Sequence, residues 1–160
     1  MTKPLEITTV SDTEIVVRRS FDAPVGMVWR CFTEPDLIRR WYGLPDWEMT
    51  VCEYDARVGG TWRFVTRAPS GWEMGSSGTI KEMVRPSRIV NTELYDEDWT
   101  GGETLVTTVF HDEGPATTVT LMVAYPSKQA RDGALATPMA DGMELGFQRL
   151  DAVLAEAPDR

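Results

Sequence analysis

Five apolar residues near the end of the chain recur at intervals of four, four, three and four: Met139, Met143, Phe147, Leu150 and Leu154. This spacing places them along one face of an α-helix. Thr137 suits the N-cap and Pro138 suits the first helical position, so the pattern predicts a helix over Thr137–Leu154. At about 1.5 Å per residue the helix is roughly 27 Å long, and its Met-bearing face offers an irregular apolar surface.

The middle of the chain shows the two-residue alternation of β-strands. In Thr61–Arg67, Trp62 and Phe64 alternate with charged or outward-facing neighbours, which predicts that they face a core. Turns rich in Gly or Pro, such as Gly59-Gly60, separate successive strands and favour an antiparallel meander. Seven strands are predicted in this way: Glu14–Phe21, Trp47–Tyr54, Thr61–Arg67, Met74–Val84, Arg88–Tyr95, Glu103–Phe110 and Ala116–Tyr125.

Two short helices are predicted between the first and second of these strands. Apolar residues at i, i+3, i+4 and i+7 mark the first helix, over Val25–Phe32, directly after Pro24. Thr33 is predicted to cap the second helix, which turns Leu37 and Trp41 towards the interior.

These elements together predict the architecture. An antiparallel sheet needs a cover for its apolar face, and the C-terminal helix is the one predicted element of sufficient length. A strongly twisted sheet curves away from a straight helix at both ends. We therefore predict an α+β fold in which a curved antiparallel sheet wraps around the long C-terminal helix, with a cavity between them. Residues 14–157 form one predicted domain, and residues 1–13 form an N-terminal arm or a first edge strand.

Composition and charge narrow the classes of function. The chain has 160 residues, a net charge of −9 and a pI near 4.6, which argues against nucleic acid as a partner, because phosphate binding needs clustered cations. We find neither an apolar run long enough to enter a membrane nor the apolar core of a signal peptide. This favours a protein of the cytoplasm.

A few reactive or charged residues bear on chemistry. In a reducing compartment Cys31 and Cys52 are expected to be free thiols. His111 is the single histidine and neither cysteine lies in a CxxC motif, so no metal site is predicted. The neighbouring Arg18 and Arg19 are predicted to lie on a solvated face or in local ion pairs.

Several short motifs occur in an order and spacing that resemble one protein family: Phe21-Asp22-Ala23-Pro24 with Val28-Trp29, Arg40-Trp41-Tyr42-Gly43, Gly59-Gly60-Thr61-Trp62-Arg63-Phe64, Thr104-Leu105-Val106-Thr107, and Pro126-Ser127 before the final helix. The sequence is thus similar to the SRPBCC superfamily, also known as START-like or Bet v 1-like. Within it, the chain most resembles the activator of heat shock protein 90 ATPase homologue domain. The resemblance implies the helix-grip fold around an apolar pocket. Two positions depart from the family pattern: Tyr42 stands where a second Trp is usual, and Pro138 interrupts the start of the last helix.

The predicted ligand pocket combines the helix face with aromatic strand residues. Six Trp in one chain and a Met-bearing helix favour a partly open interior over a solid core, although each single residue also fits a packed core. The predicted pocket wall is Trp41, Trp62, Phe64, Trp72, Met74, Met139, Met143 and Phe147. The polar anchors proposed within it are Glu82, Tyr95 and Thr108.

These features predict a small soluble binding protein that encloses an apolar or aromatic small molecule between the sheet and the C-terminal helix. No cofactor and no catalytic residue is predicted. One alternative is an enzyme resembling polyketide cyclases or dehydratases, with a buried carboxylate or tyrosine as acid or base. A second alternative is a chaperone-interaction module, which the family resemblance suggests. A homodimer is compatible with the sequence.

Overall fold

The computed structural model describes residues 5–97 and 101–156. Eight strands and four helices follow one another along the chain: β1 (Glu6–Thr9), β2 (Glu14–Phe21), α1 (Val25–Thr33), α2 (Pro35–Trp41), β3 (Glu48–Tyr54), β4 (Thr61–Arg67), β5 (Glu73–Val84), β6 (Arg88–Tyr95), β7 (Thr104–Asp112), β8 (Thr117–Ala124), α3 (Lys128–Leu135) and α4 (Met139–Glu156). The predicted strands agree with these bounds to within two residues.

All strands belong to one antiparallel sheet with the order β1-β2-β8-β7-β6-β5-β4-β3. The predicted meander from β3 to β8 is confirmed, since each of these strands pairs with the next. β8 then pairs with β2, and β1 pairs with β2 at the edge. Residues 6–9 of the predicted arm therefore form an edge strand, whereas residues 1–4 and 157 lie outside the described residues.

Helix α4 packs over the sheet together with α1, which contacts β7, and α2, which contacts the edge strand β3. Its buried residues include Phe147, Leu150 and Leu154, three members of the predicted stripe. They belong to a core cluster with inward side chains of β2, β7 and β8, such as Ile15 and Phe110. The predicted helix-grip fold is confirmed: a curved antiparallel sheet holds a long C-terminal helix.

Arg19 forms a buried tie between β2 and α4. Its side chain is on the inward face of β2 and only 3% exposed. The guanidinium donates to Glu144 at 3.0 and 3.1 Å and to Asp151 at 2.8 and 2.9 Å. The prediction that Arg18 and Arg19 share a solvated face or local ion pairs is wrong for Arg19, because its partners lie more than 120 residues away along the chain. Arg18 is exposed.

The cap predicted for α2 also needs correction. The N-cap is Glu34, whose backbone is extended, and no side chain caps this helix. Thr33 instead ends α1, where its hydroxyl donates to the carbonyl oxygen of Trp29 at 2.9 Å. The Thr33 hydroxyl is directed back along α1 by this bond, away from the first amides of α2.

The described part of the chain holds no helix that is long and apolar enough to cross a membrane. Within the same ranges, 5–97 and 101–156, His, Cys, Asp and Glu side chains form no group suited to a metal ion.

Candidate functional site

The concave face of the sheet is covered unevenly. The core cluster beneath α4 takes its sheet residues from β2, β6, β7 and β8. Trp62 and Phe64, the inward aromatic residues of β4, lie outside this cluster. Phe64 is only partly buried, whereas Trp62 is 5% exposed. The core cluster beneath α4 therefore does not extend to the part of the concave face around β4 and β5.

One row of residues crosses this part of the sheet. Strand register pairs Trp62 with Gly78, and Glu93 with Thr104. The pairs Ser77↔Leu94 and Ile80↔Asn91 place Gly78 opposite Glu93. Because residues in register share a face, Trp62, Gly78, Glu93 and Thr104 lie side by side.

A second row runs parallel to the first. Phe64 pairs with Ser76, and Ser76 pairs with Tyr95. Tyr42, which follows α2, shares a hydrogen bond with Ser76 and lies 4.9 Å from Phe64 between ring centroids. Tyr42 thus covers this row from the side of the helices.

The strand register of the two rows outlines a trough on the concave face. Its floor is made of the small residues Ser76 and Gly78 on β5. Trp62 and Phe64 form one wall, with ring centroids 4.9 Å apart. Glu93 and Tyr95 of β6 stand on the other side. The two walls are two strand spacings apart, roughly 9–10 Å, and we refer to this set of residues with Tyr42 as the concave trough.

Glu93 is the electrostatic centre of the concave trough. Burial raises the pKa of its carboxyl to about 7, while the side chain is still partly exposed. At neutral pH the carboxyl therefore exists in comparable amounts as acid and carboxylate.

Tyrosines surround Glu93. Its negative charge is the main cause of the strongly raised pKa of Tyr95, ahead of burial. Burial, followed by the charge of Glu93, also raises the pKa of Tyr42 and raises that of Tyr125 to about 12. All three phenols are thus neutral at physiological pH and can donate or accept hydrogen bonds.

The indole nitrogen of Trp62 adds an unused donor. Nε1 is buried and has no hydrogen-bond partner in the described parts of the chain. A Cβ added to Gly78 would lie 2.6 Å from Nε1 and 1.9 Å from the carbonyl oxygen of Thr92. A side chain at this position would collide with the backbone of β6 and with the indole of Trp62, so glycine is the residue that lets the indole lie over this part of the floor.

The predicted wall residues divide into three groups. Trp62 and Phe64 line the concave trough. Trp41 and Phe147 belong to the packed core, where their rings stack with centroids 5.9 Å apart, and Met139 and Met143 are partly buried against that core. The remaining two, Trp72 and Met74, line a separate depression of about 370 Å³ beside outward-facing Arg63.

This outer depression is polar. Arg63 pairs with Asp96 at 2.7 Å along its edge, and Trp72, which is 41% exposed, contacts Trp47 at a ring distance of 5.7 Å. The placement of Trp72 in the wall of the interior pocket is therefore corrected, since Trp72 lies in the turn before β5, where strand alternation does not apply. Met74 pairs with Thr66, on the same face of β5 as Ser76 and Gly78, and its place in the wall of the interior pocket stays a prediction.

The three predicted anchors have different positions. Tyr95 lies in the concave trough. Thr108 lies on the inward face of β7, opposite Ile89 and Leu121, and is buried in the packed half. Glu82 is exposed and pairs with Arg88 at 3.4 Å, so it is not an interior anchor.

Sequence reasoning missed Glu93, Ser76, Gly78 and Tyr125. A signal for Glu93 was present: along β6 it shares a face with Ile89 and Tyr95, which alternation alone reveals. Gly78 and Ser76 offered no such signal, because the sequence does not show which larger residues the strand register places beside these small ones.

The fold and the concave trough together define a helix-grip protein with a group of aromatic and acidic residues on the concave face of its sheet. The family comparison agrees: the family model described as Activator of Hsp90 ATPase homolog 1-like protein matches residues 22–155. The chain belongs to this family. A search of curated proteins found no match.

Solved structures resemble the chain over nearly its whole length. A protein from Rhodobacter sphaeroides is 35% identical, with a TM-score of 0.91, and the match covers 96% of this chain and 99% of that one. A protein from Mycobacterium smegmatis is 21% identical with a TM-score of 0.83, covering 94% and 97%. The AHSA1 protein from Silicibacter pomeroyi is 18% identical with a TM-score of 0.73, covering 89% and 98%. The last two matches concern the fold alone.

Proposed function

We propose that this protein binds an apolar or aromatic small molecule in the concave trough, between the sheet and the C-terminal helix. The observation that carries the proposal is the floor of Ser76 and Gly78 between an aromatic wall and a polar one. Ligand sites are typically concave and largely apolar, with a few placed polar groups. Here Glu93, Tyr95 and the Trp62 N–H supply those groups.

Two features of the trough support binding over simple packing. The partly exposed Phe64 contrasts with Phe147, which is 3% exposed in the packed core. The unpaired indole N–H of Trp62 is also costly in a closed interior, because a buried donor without a partner loses roughly 1–3 kcal/mol. A ligand oxygen or a water in the trough would satisfy it.

A neutral fluorescent probe, N-phenyl-1-naphthylamine, tests this proposal. We expect its fluorescence to rise on binding to the wild type and to fail to rise with Ser76→Leu, whose added side chain fills the floor. Ser77→Leu is the matched control, since Ser77 is the next residue on β5 and faces the opposite side. Far-UV circular dichroism checks that both variants are folded.

Equal binding by both variants, or no binding by the wild type, would contradict the proposal. Native mass spectrometry of protein purified from its own cells adds an independent readout. A retained small molecule in the wild type that is missing from Ser76→Leu would support the trough as its site.

One observation favours a second function, an enzyme that uses acid–base chemistry. A carboxyl with a pKa of about 7 can both give and take a proton at neutral pH. Glu93 is then the proton-transferring residue, with Tyr95 or Tyr42 as hydrogen-bond donor to the substrate. The chaperone-interaction module, the homodimer, the cytoplasmic location and the lack of a cofactor stay predictions.

A further inference from the structure

Resting on the proposed function, the geometry points to a class of ligand: we propose that the concave trough selects molecules whose aromatic or apolar body carries a positively charged amine, with the cation held against Glu93. Its apolar part would lie along Trp62 and Phe64. The argument depends on which charges surround Glu93 and on what the neighbouring walls offer to a cation.

The described arginines on the surrounding elements are engaged elsewhere. Arg63 of β4 pairs with Asp96 at 2.7 Å, and Arg88 of β6 pairs with Glu82. Arg149 of α4 donates to carbonyl oxygens, including that of Gly43 at 3.3 Å. Arg19 of β2 is held by its two carboxylates. Burial is the one cause of the raised pKa of Glu93, and no described cation contributes an opposing effect.

The titratable groups whose pKa the charge of Glu93 raises are tyrosines: Tyr42 after α2, Tyr95 on β6 and Tyr125 after β8. They are neutral in the physiological range and cannot compensate a carboxylate. A ligand cation would do so directly, since an opposite charge within about 4–6 Å stabilises the ionised form of an acid. The burial that disfavours the carboxylate in the free protein thus becomes a source of selectivity for a cation.

The walls suit a cation as well. Trp62, Phe64 and Tyr42 form a contiguous aromatic group, with neighbouring ring centroids 4.9 Å apart. The faces of aromatic rings attract ammonium groups within about 6 Å. A cation would interact both with the carboxylate on one side and with the aromatic faces on the other. A neutral ligand does not need this combination.

A matched pair of probes tests this inference. (4-Hydroxybenzyl)trimethylammonium carries a permanent positive charge, and 4-neopentylphenol has the same shape without it. Isothermal titration calorimetry with the full chain measures both at pH 6 and pH 8. We expect the cation to bind about tenfold more tightly at pH 8, because deprotonation of a group with a pKa near 7 raises the binding-competent fraction about tenfold. The neutral probe should show no such gain.

Glu93→Gln should weaken binding of the cation at pH 8 at least tenfold and abolish its pH dependence. It should leave binding of 4-neopentylphenol nearly unchanged, which also shows that the variant is folded. Glu82→Gln is the control, since it removes an equal charge from the outer surface and should leave both affinities within twofold.

The outcomes separate the two proposals. If both probes bind equally, or if the cation binds Glu93→Gln as tightly as the wild type, the ligand class is refuted while the binding function stands. If neither probe binds the wild type, the concave trough is not a site for such molecules, and both proposals fail together.

Discussion

Arg19 on β2 donates to Asp151 on α4 at 2.8 and 2.9 Å, so that an inward strand residue and a helix residue form a two-bond ion pair. The same guanidinium also binds Glu144, which lies about two helical turns closer to the N-terminus of α4 on the same face. It lies 4.9 Å from the ring centroid of Phe21. The three charges fix both the height and the rotation of α4 over the sheet.

Arg19→Met should destabilise the protein by about 3–5 kcal/mol, the usual cost of removing one partner of a buried ion pair. Methionine preserves much of the side-chain volume, so that the loss reports mainly on charge. Urea denaturation at pH 7 measures the free energy of unfolding. Arg18→Met, at the exposed neighbouring position, is the control and should change it by less than about 0.5 kcal/mol.

The difference in free energy of unfolding between the wild type and Arg19→Met should also depend on pH. Arg19 lowers the pKa of Glu144 below its ordinary value of 4.5. A depressed carboxyl pKa contributes stability above the unfolded-state value, and this contribution is lost as the pH falls. The difference between wild type and Arg19→Met should therefore shrink below about pH 4.5. A constant difference down to pH 3 would show that the arginine acts only through packing.

Phe147→Ala and Phe64→Ala should separate the packed half of the interior from the concave trough. Phe147 is 3% exposed and contacts Phe21 and Trp41, so its loss should cost about 3–5 kcal/mol. Phe64 is only partly buried, and its truncation should cost about 1–2 kcal/mol. Thermal and urea unfolding measure both values, and similar costs for the two would mean that the trough is as tightly filled as the core.

Glu93 should make stability fall as the pH rises. Its folded-state pKa of about 7 lies above the ordinary 4.5, so the folded protein binds more protons than the unfolded chain between these values. The free energy of unfolding therefore decreases from pH 4.5 to pH 7 by roughly 2–3 kcal/mol on account of this residue, at about 1.4 kcal/mol per pKa unit.

Glu93→Gln removes this term. The variant should gain stability relative to the wild type across that pH range, which unfolding at pH 4.5, 6 and 7.5 measures. Glu82→Gln, on the exposed side of β5, should show no such relative gain. A Glu93→Gln variant that follows the wild type at all three values would indicate an ordinary, solvated carboxyl.

Most of the fold could be predicted from the periodic spacing of apolar residues in the sequence. The strands of the meander have strong alternation and are separated by Gly or Pro turns, and Gly59 indeed has a positive φ of 84°. The apolar stripe of α4 is similarly regular. The errors lie where side chains have tertiary partners: Thr33 caps nothing because it bonds back to Trp29, and Arg19 is buried because α4 supplies two carboxylates.

The candidate site was less predictable for a physical reason. A pattern of apolar residues shows which side chains avoid water, but it does not distinguish a filled core from the wall of a recess. Phe147 and Phe64 follow equally regular apolar patterns in the sequence, yet Phe147 of α4 lies in the packed core and Phe64 of β4 lies opposite the small residue Ser76. The register of β5 against both neighbours decides this, and a bulge between Ile80 and Glu82 shifts that register by one residue.

The tie between Arg19 and α4 also constrains how the chain is made. The partners of Arg19 follow it by 125 and 132 residues, which at ordinary rates of translation is a delay of roughly ten seconds. Throughout that interval the strands can pair as they leave the ribosome. The apolar face of β2 is not yet covered by α4, and Arg19 has no counter-ion. Synthesis of α4 is then the step that completes the domain. A chain that ended before α4 would leave the apolar face of the sheet exposed and prone to association.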